Sequence, residues 1–241
     1  MAARADAGMA DEAGRGSPMS GAVANPFDLG DGRGLKPVIA VAGQMSNRAR
    51  VKRYERYLQT MRPGSEELLL DLGCGGDWSL ARLDPEANVT GVDLSEREGY
   101  ERPNQRFVAA DACDLPFADN SFGLAYSNSL IEHIPPERRW MFADEVRRVA
   151  ARYWIQTPNY WFPIEPHALL PGVQFLPEPI RRAAWRASPR GIDYEDSLQL
   201  LGAKELADLF PEALILRERI GPLTKSLVAV GPARLFQPRR S

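Results

Sequence analysis

The sequence predicts an α/β fold: a Rossmann-like, doubly wound seven-stranded sheet, mostly parallel, with an antiparallel C-terminal strand. Three observations predict it. Strand-like apolar runs alternate with helical patterns through the middle of the chain. The first such run, "LLLDL" at 68–72, leads directly into the glycine turn "GCGG" at 73–76. Near the end, "ALILRERIG" (213–221) and "KSLVAVGP" (225–232) are two strand-like runs with a short connection, as an antiparallel hairpin requires.

The elements follow in chain order. Residues 1–35 mix charges with Ala and Gly and have too few large apolar side chains to offset ordering entropy, so a disordered N-terminal tail is expected. They lack the apolar core of a secretory signal, and Asp6, Asp11 and Glu12 argue against a transit peptide. A single domain is expected over 36–234, with 235–241 as a C-terminal tail. "QMSNRARVKRYERYLQTMRPG" (44–64) spaces Val51, Tyr54, Tyr57, Leu58 and Met61 as one helix face. Its arginines and lysine are read as a solvated opposite face. "LLLDL" is apolar enough for a strand buried on both faces. "DWSLARL" (77–83) is a short helix, "NVTGVDL" (88–94) a second strand, "QRFVAADA" (105–112) a third and "SFGLAYSNS" (121–129) a fourth. "PERRWMFADEVRRVA" (136–150) is helical with Trp140, Met141, Val146 and Val149 inward, and "RYWIQTPN" (152–159) is the fifth strand. Residues 160–198, irregular and rich in Pro and aromatics, form a lid-like substrate insertion. "GAKELADLFP" (202–211) is a helix that precedes the closing hairpin.

Composition bounds the function. The 241 residues are 44% hydrophobic with a net charge of −2, which gives no long-range attraction for nucleic acid or an anionic membrane. "RVKRYERY" and "PIRRAAWRASPR" interleave bases with aromatics, yet both read as solvated faces, so a nucleic-acid partner is not expected. No apolar run has the length of a membrane span. Only Cys74 and Cys113 occur, which argues against a disulfide framework and for a reducing cytoplasm. The two histidines and two cysteines are scattered without zinc-ligand spacing, so no metal site is expected. Nothing in the sequence fixes an oligomeric state.

The glycine turn is not built for phosphate. Gly73 and Gly75 let the backbone bend and a ligand approach. A dinucleotide fingerprint needs Gly or Ala where Trp78 stands, which argues against a nicotinamide-dependent oxidoreductase. No Gly-Lys-Ser/Thr follows, so a P-loop is excluded. Asp77 at the helix start would repel a pyrophosphate. The turn suits a nucleoside without phosphate, a cationic one included. Asp93, 22 positions after Asp71, ends the second strand, where a carboxylate can accept from both ribose hydroxyls. Asp111 follows the third strand, in reach of an adenine amino group.

Three acids at successive strand ends, the first beside a glycine turn, form a specific constellation. On "LLLDLGCGGDWS", "VTGVDLS", "FVAADACDLPFADNSFGLAYSNSLIEHI" and "LGAKELADLF", the chain resembles the class I S-adenosylmethionine-dependent methyltransferases, in particular the type 11 group, over about residues 45–232. The resemblance implies roles. Asp71 and the backbone of Gly73, Cys74 and Gly75 would hold the methionine end of S-adenosyl-L-methionine. Asp93, with Leu94 beside it, would bind the ribose. Asp111 and the Ala112 amide would read the adenine. Ser127 and Asn128 would line the floor near the sulfonium, and His133 would pack near the cofactor. Asp77 departs from the pattern, where a third glycine is usual.

Methyl transfer is an in-line displacement that needs a placed nucleophile and exclusion of water. Tyr160, Trp161, Phe162 and Phe175 are expected to wall an apolar acceptor pocket. Glu165 and His167 are candidate catalytic residues, as base and orienter. Glu132 reads as a helix-cap partner, and Trp140, Trp154 and Trp185 as core. The expected function is methyl transfer to a small or lipid-like organic acceptor. The alternative is a cofactor-binding or interaction protein that kept the fold without the chemistry.

Overall fold

The computed structural model describes residues 51–75, 79–95, 100, 102–186, 188 and 198–235. Residues 51–61 form helix α1. It is followed by β1 (Leu68–Leu72), α2 (Leu80–Leu83), β2 (Asn88–Asp93), β3 (Gln105–Ala109) and β4 (Phe122–Asn128). Then come α3 (Arg139–Val149), β5 (Ala150–Pro158), the short pair β6 (Ile164–Glu165) and β7 (Leu170–Pro171), α4 (Glu178–Trp185), α5 (Ala203–Leu209), β8 (Leu214–Ile220) and β9 (Leu223–Gly231).

The seven-stranded sheet has the order β3-β2-β1-β4-β5-β9-β8. The pairs among β1 to β5 are parallel, while β9 runs antiparallel to both β5 and β8. The reversed strand is thus the last of the sheet's strands in sequence but sits one place in from the sheet edge. From β1 the chain winds outward to β3, then returns to β4 on the other side of β1. The crevice for a ligand therefore lies beyond the carboxyl ends of β1 and β4.

The period of two along the strands divides the core between the faces. Leu70 and Leu72 pack with Phe142, Val146, Leu206 and Phe210 of the α3 and α5 side. Leu69 packs on the other face with Tyr57 and Met61 of α1, Leu80 of α2 and the fully buried Trp154. Asp71, two along from Leu69, points to this second face. Among the described residues, no helix is long and apolar enough to cross a membrane.

Several expectations change. Arg53 is buried, not solvated, because positions 53, 57 and 61 share one helix stripe with Tyr57 and Met61. Val51, placed on the apolar face, is exposed. In α3 the buried stripe is Phe142, Ala143, Val146 and Val149, which turns Trp140 to solvent at 57% exposure. Trp154 and Trp185 are core, as expected. The described part of 160–198 is less irregular than its prolines imply. It holds the β6–β7 pair and α4, whose one buried side chain is Trp185. It packs its own small core of Ala168, Val173, Trp185 and Leu198. The predicted tails apart from Leu235, helix positions 44–50, and Asp77 with Trp78 lie outside the described residues.

Candidate functional site

The turn after β1 is fixed by backbone geometry. Gly73 has φ of 74°, in the left-handed region, and a Cβ there would lie 2.9 Å from Leu130 Cβ. The Gly73 and Cys74 N–H groups donate to Val92 O at 2.9 and 3.3 Å, which ties the turn to the end of β2. Gly75 is exposed beside it. The Cys74 side chain is buried, and burial, with the Asp71 charge next, pushes its thiol up to about 12. Only its backbone is therefore available to a ligand.

Asp71 lies under this turn at 2% exposure, and its Oδ2 accepts the Leu80 N–H at 2.7 Å. Burial pushes its carboxyl up to about 7, against the Leu80 hydrogen bond and with the Asp93 charge adding to the rise. A cation placed here would favour the ionised form. Asp93 closes β2, and its Oδ1 accepts the Ser95 N–H at 3.5 Å. The neighbouring Leu94 side chain is exposed. Asp111 follows β3. Its carboxylate accepts the Cys113 N–H at 2.8 Å and Arg138 Nη2 at 2.7 Å. Against the opposing effect of burial, these two partners hold the carboxyl below its usual range. Ala112 is half-buried in the same turn. Because β1 pairs with β2 and β2 with β3, the three acids sit at adjacent strand ends.

The residues after β4 divide in role. Ser127 is fully buried, and its hydroxyl donates to Leu72 O at 3.1 Å, joining the ends of β4 and β1. Asn128 Oδ1 accepts Arg53 Nη1 at 2.8 Å, so its amide nitrogen is the end left to donate. Arg53 also bonds Gln156 Oε1, Ser226 Oγ and, through an ion pair at 2.8 Å, Glu218. It thus links α1 to β4, β5, β8 and β9 behind the site. The sequence reading missed this residue, though its four-residue spacing from Tyr57 carried the signal. Arg138, the partner of Asp111, left no such signal.

Beyond β4, a 3-10 turn spans Ile131–His133. Glu132 is fully buried and caps no helix. Its Oε2 accepts the Thr157 hydroxyl at 3.0 Å, while Oε1 has no hydrogen-bond partner among the described residues. His133 and His167, 34 positions apart, meet edge to face with ring centroids 5.2 Å apart. His167 Nδ1 lies 2.7 Å from Oε1 of the buried Glu165, whose Oε2 accepts the Ala168 N–H. The histidines that look scattered in the sequence are brought together because the insertion folds back on the end of β4.

The aromatic wall is organised differently from its expectation. Tyr160, Trp161 and Phe175 pack on one another with centroids 5.0 to 6.1 Å apart, and Trp161 is 68% exposed. The pocket beside Glu165 is lined by Tyr160, Gln174, Arg181, Trp185 and residues 198–200. Of the four expected rings, Tyr160 alone lines it, and polar groups share its surface.

Residues 70–152 match the methyltransferase domain family. Over 83 residues the chain is 39% identical to the malonyl-[acyl-carrier protein] O-methyltransferase of Erwinia pyrifoliae, covering 32% of each chain. Over 94 residues it is 33% identical to the 27-O-demethylrifamycin SV methyltransferase of Amycolatopsis mediterranei, covering 34% of each. The match thus spans about a third of these relatives, with 32% of the first and 34% of the second aligned. The PH0226 protein from Pyrococcus horikoshii has a similar fold, at a TM-score of 0.53 and 22% identity, over 76% of this chain and 89% of that one. The matched segment runs from β1 into β5 and contains Asp71, the glycine turn, Asp93, Asp111 and Glu132–His133. This segment is thus similar to the methyltransferase domain family, and the sheet has the α/β, Rossmann-like fold of its structural neighbour.

Proposed function

We propose that the chain binds S-adenosyl-L-methionine across the ends of β1, β2 and β3 and methylates a small organic acceptor. The observation that carries this reading is the buried Asp71 carboxyl beside the Gly73 turn, a site that gains from a cationic ligand. Asp71 and the Gly73–Gly75 backbone hold the amino-acid end. Asp93 accepts from the ribose hydroxyls. Asp111 keeps acceptor capacity beyond its bonds to Cys113 and Arg138 and reads the adenine with the Ala112 amide. Asn128 and His133 close the floor. When bound, the cofactor supplies an electrophilic methyl group on sulfur.

The chain's own work is placement and proton handling. Arg53 fixes Asn128, and Glu165 fixes the His167 ring. With Nδ1 turned to Glu165, Nε2 is the ring nitrogen that would take a proton from an acceptor hydroxyl. The insertion 160–198, within a domain of residues 36–234, contributes the acceptor pocket. Trp161, Ile164, Phe175 and Ile180 are exposed on it, which supports an apolar or lipid-like acceptor. The net charge of −2 argues against nucleic acid. Cys74 and Cys113 are free buried thiols, which supports a cytoplasmic setting.

Calorimetric titration with S-adenosylmethionine and S-adenosylhomocysteine tests the reading. Both bind the native chain, and Asp93→Ala weakens them ~10–100-fold through loss of a charge-assisted acceptor. Absence of binding to the native chain refutes the proposal. Binding without methylation of any compound in a metabolite extract would point to the non-catalytic alternative.

A further inference from the structure

We propose that Glu132, His133 and His167 bind one divalent transition-metal ion, with zinc the best-fitting occupant. One donor atom from each of these residues lies within 4.8 Å of the others. Tetrahedral zinc with bonds of about 2.0–2.2 Å needs donor separations of about 3.3–3.6 Å. Closing the set takes shifts of about 1 Å, within reach of small side-chain rotations. Two imidazoles and one carboxylate are a ligand set suited to zinc and poorly suited to magnesium or calcium, which prefer oxygen.

Two further observations point to a cation independently of this spacing. Glu132 is fully buried; Thr157 satisfies Oε2, but the buried Oε1 has no hydrogen-bond partner among the described residues. A buried carboxylate oxygen left so is unfavourable unless a cation or donor meets it. Glu165, in turn, stands at His167 Nδ1 at 2.7 Å and is itself anchored by the Ala168 N–H. A carboxylate there makes Nδ1 the N–H donor and directs the Nε2 lone pair outward, the outer-shell arrangement found behind metal-bound histidines.

Three protein ligands leave a coordination position open. Glu132 and His133 stand on the turn after β4, and His167 stands on the insertion. A bound ion therefore pins the insertion to the sheet. His167 is then held as a ligand and takes no proton. The metal site stands on its own residues and does not depend on the methyl-transfer reading. Loss of cofactor binding in experiment leaves the metal site intact, whereas a bound ion removes His167 from proton transfer.

The test uses the full chain, freed of any affinity tag and stripped with a chelator, and titrates Zn2+ by calorimetry and Co2+ by visible absorption. One ion per chain is expected, with a rise in Tm. The Co2+ spectrum should show low-symmetry nitrogen and oxygen coordination without a thiolate charge-transfer band, which excludes Cys74 and Cys113. His133→Ala and His167→Ala should each abolish the spectrum while circular dichroism is kept. Glu165→Gln should weaken binding ~10–100-fold. No Zn2+ or Co2+ binding by the native chain overturns the proposal, as does a thiolate band or unchanged affinity in folded His133→Ala and His167→Ala chains. If either variant fails to fold, the native Co2+ spectrum alone decides.

Discussion

Replacing Asp71 by asparagine measures what the buried carboxylate costs the empty protein. The side chain is 2% exposed, and burial moves its carboxyl from 3.8 to about 7, with the Leu80 N–H opposing and the Asp93 charge adding. That displacement corresponds to ~4 kcal/mol between the protonated and ionised forms. In the unfolded chain the group ionises near 3.8, and in the folded chain near 7. Between those values the folded state holds the extra proton, so stability falls as pH rises through the window and levels off above about 7. An asparagine carries no charge and shows no such fall. From about pH 5 to about pH 8 the native chain should lose ~2–3 kcal/mol relative to Asp71→Asn. Burying an amide N–H2 without an acceptor offsets ~1–3 kcal/mol, so the variant should be the more stable protein at about pH 8 and not at about pH 5. Urea unfolding of both proteins at the two pH values reads this, since the titrating groups that do not feel the Asp71 charge cancel in the difference. The same variant should bind S-adenosylmethionine far more weakly. A stability difference that does not change with pH, or full cofactor affinity in the variant, would refute the reasoning.

Other perturbations follow from the packing. Arg53→Met should destabilise by ~3–5 kcal/mol in denaturant unfolding, because it leaves the largely buried Glu218 without its ion partner. Gly231→Ala should cost ~1–3 kcal/mol, since a Cβ there would lie 2.0 Å from Tyr153 Cζ, whose hydroxyl is held by Glu212. Burial, followed by Asp71 for Cys74 and Asp111 for Cys113, pushes the two thiols up to about 12 and about 11. Ellman's reagent at about pH 8 should therefore find almost no reactive thiol in the native chain and both after unfolding.

Much of the fold is legible in the sequence because parallel strands buried on both faces leave apolar runs that few other elements imitate. The acids at the ends of β1, β2 and β3 are legible for a related reason, since each interrupts or closes such a run. What depends on distant contacts is not. Arg53 looks like a surface base until Glu218, 165 positions on, is seen beside it. Trp140 is apolar yet stands on the wet face of α3. Glu132, His133 and His167 become one cluster only when the insertion packs against the sheet.

The place of β9 bears on how the molecule is made. Of the sheet's strands this is the last to be synthesised, yet it lies between β5 and β8 and buries Leu227, Val228, Ala229 and Val230. Until it emerges from the ribosome, the outer edge of β5 has no partner, and neither has β8. Trp154 and Ile155 stand on that edge, paired in the finished sheet with Val230 and Ala229. A nascent chain that stalls short of Gly231 therefore presents an apolar strand edge open to other chains, and early termination should yield aggregates and not a smaller folded protein.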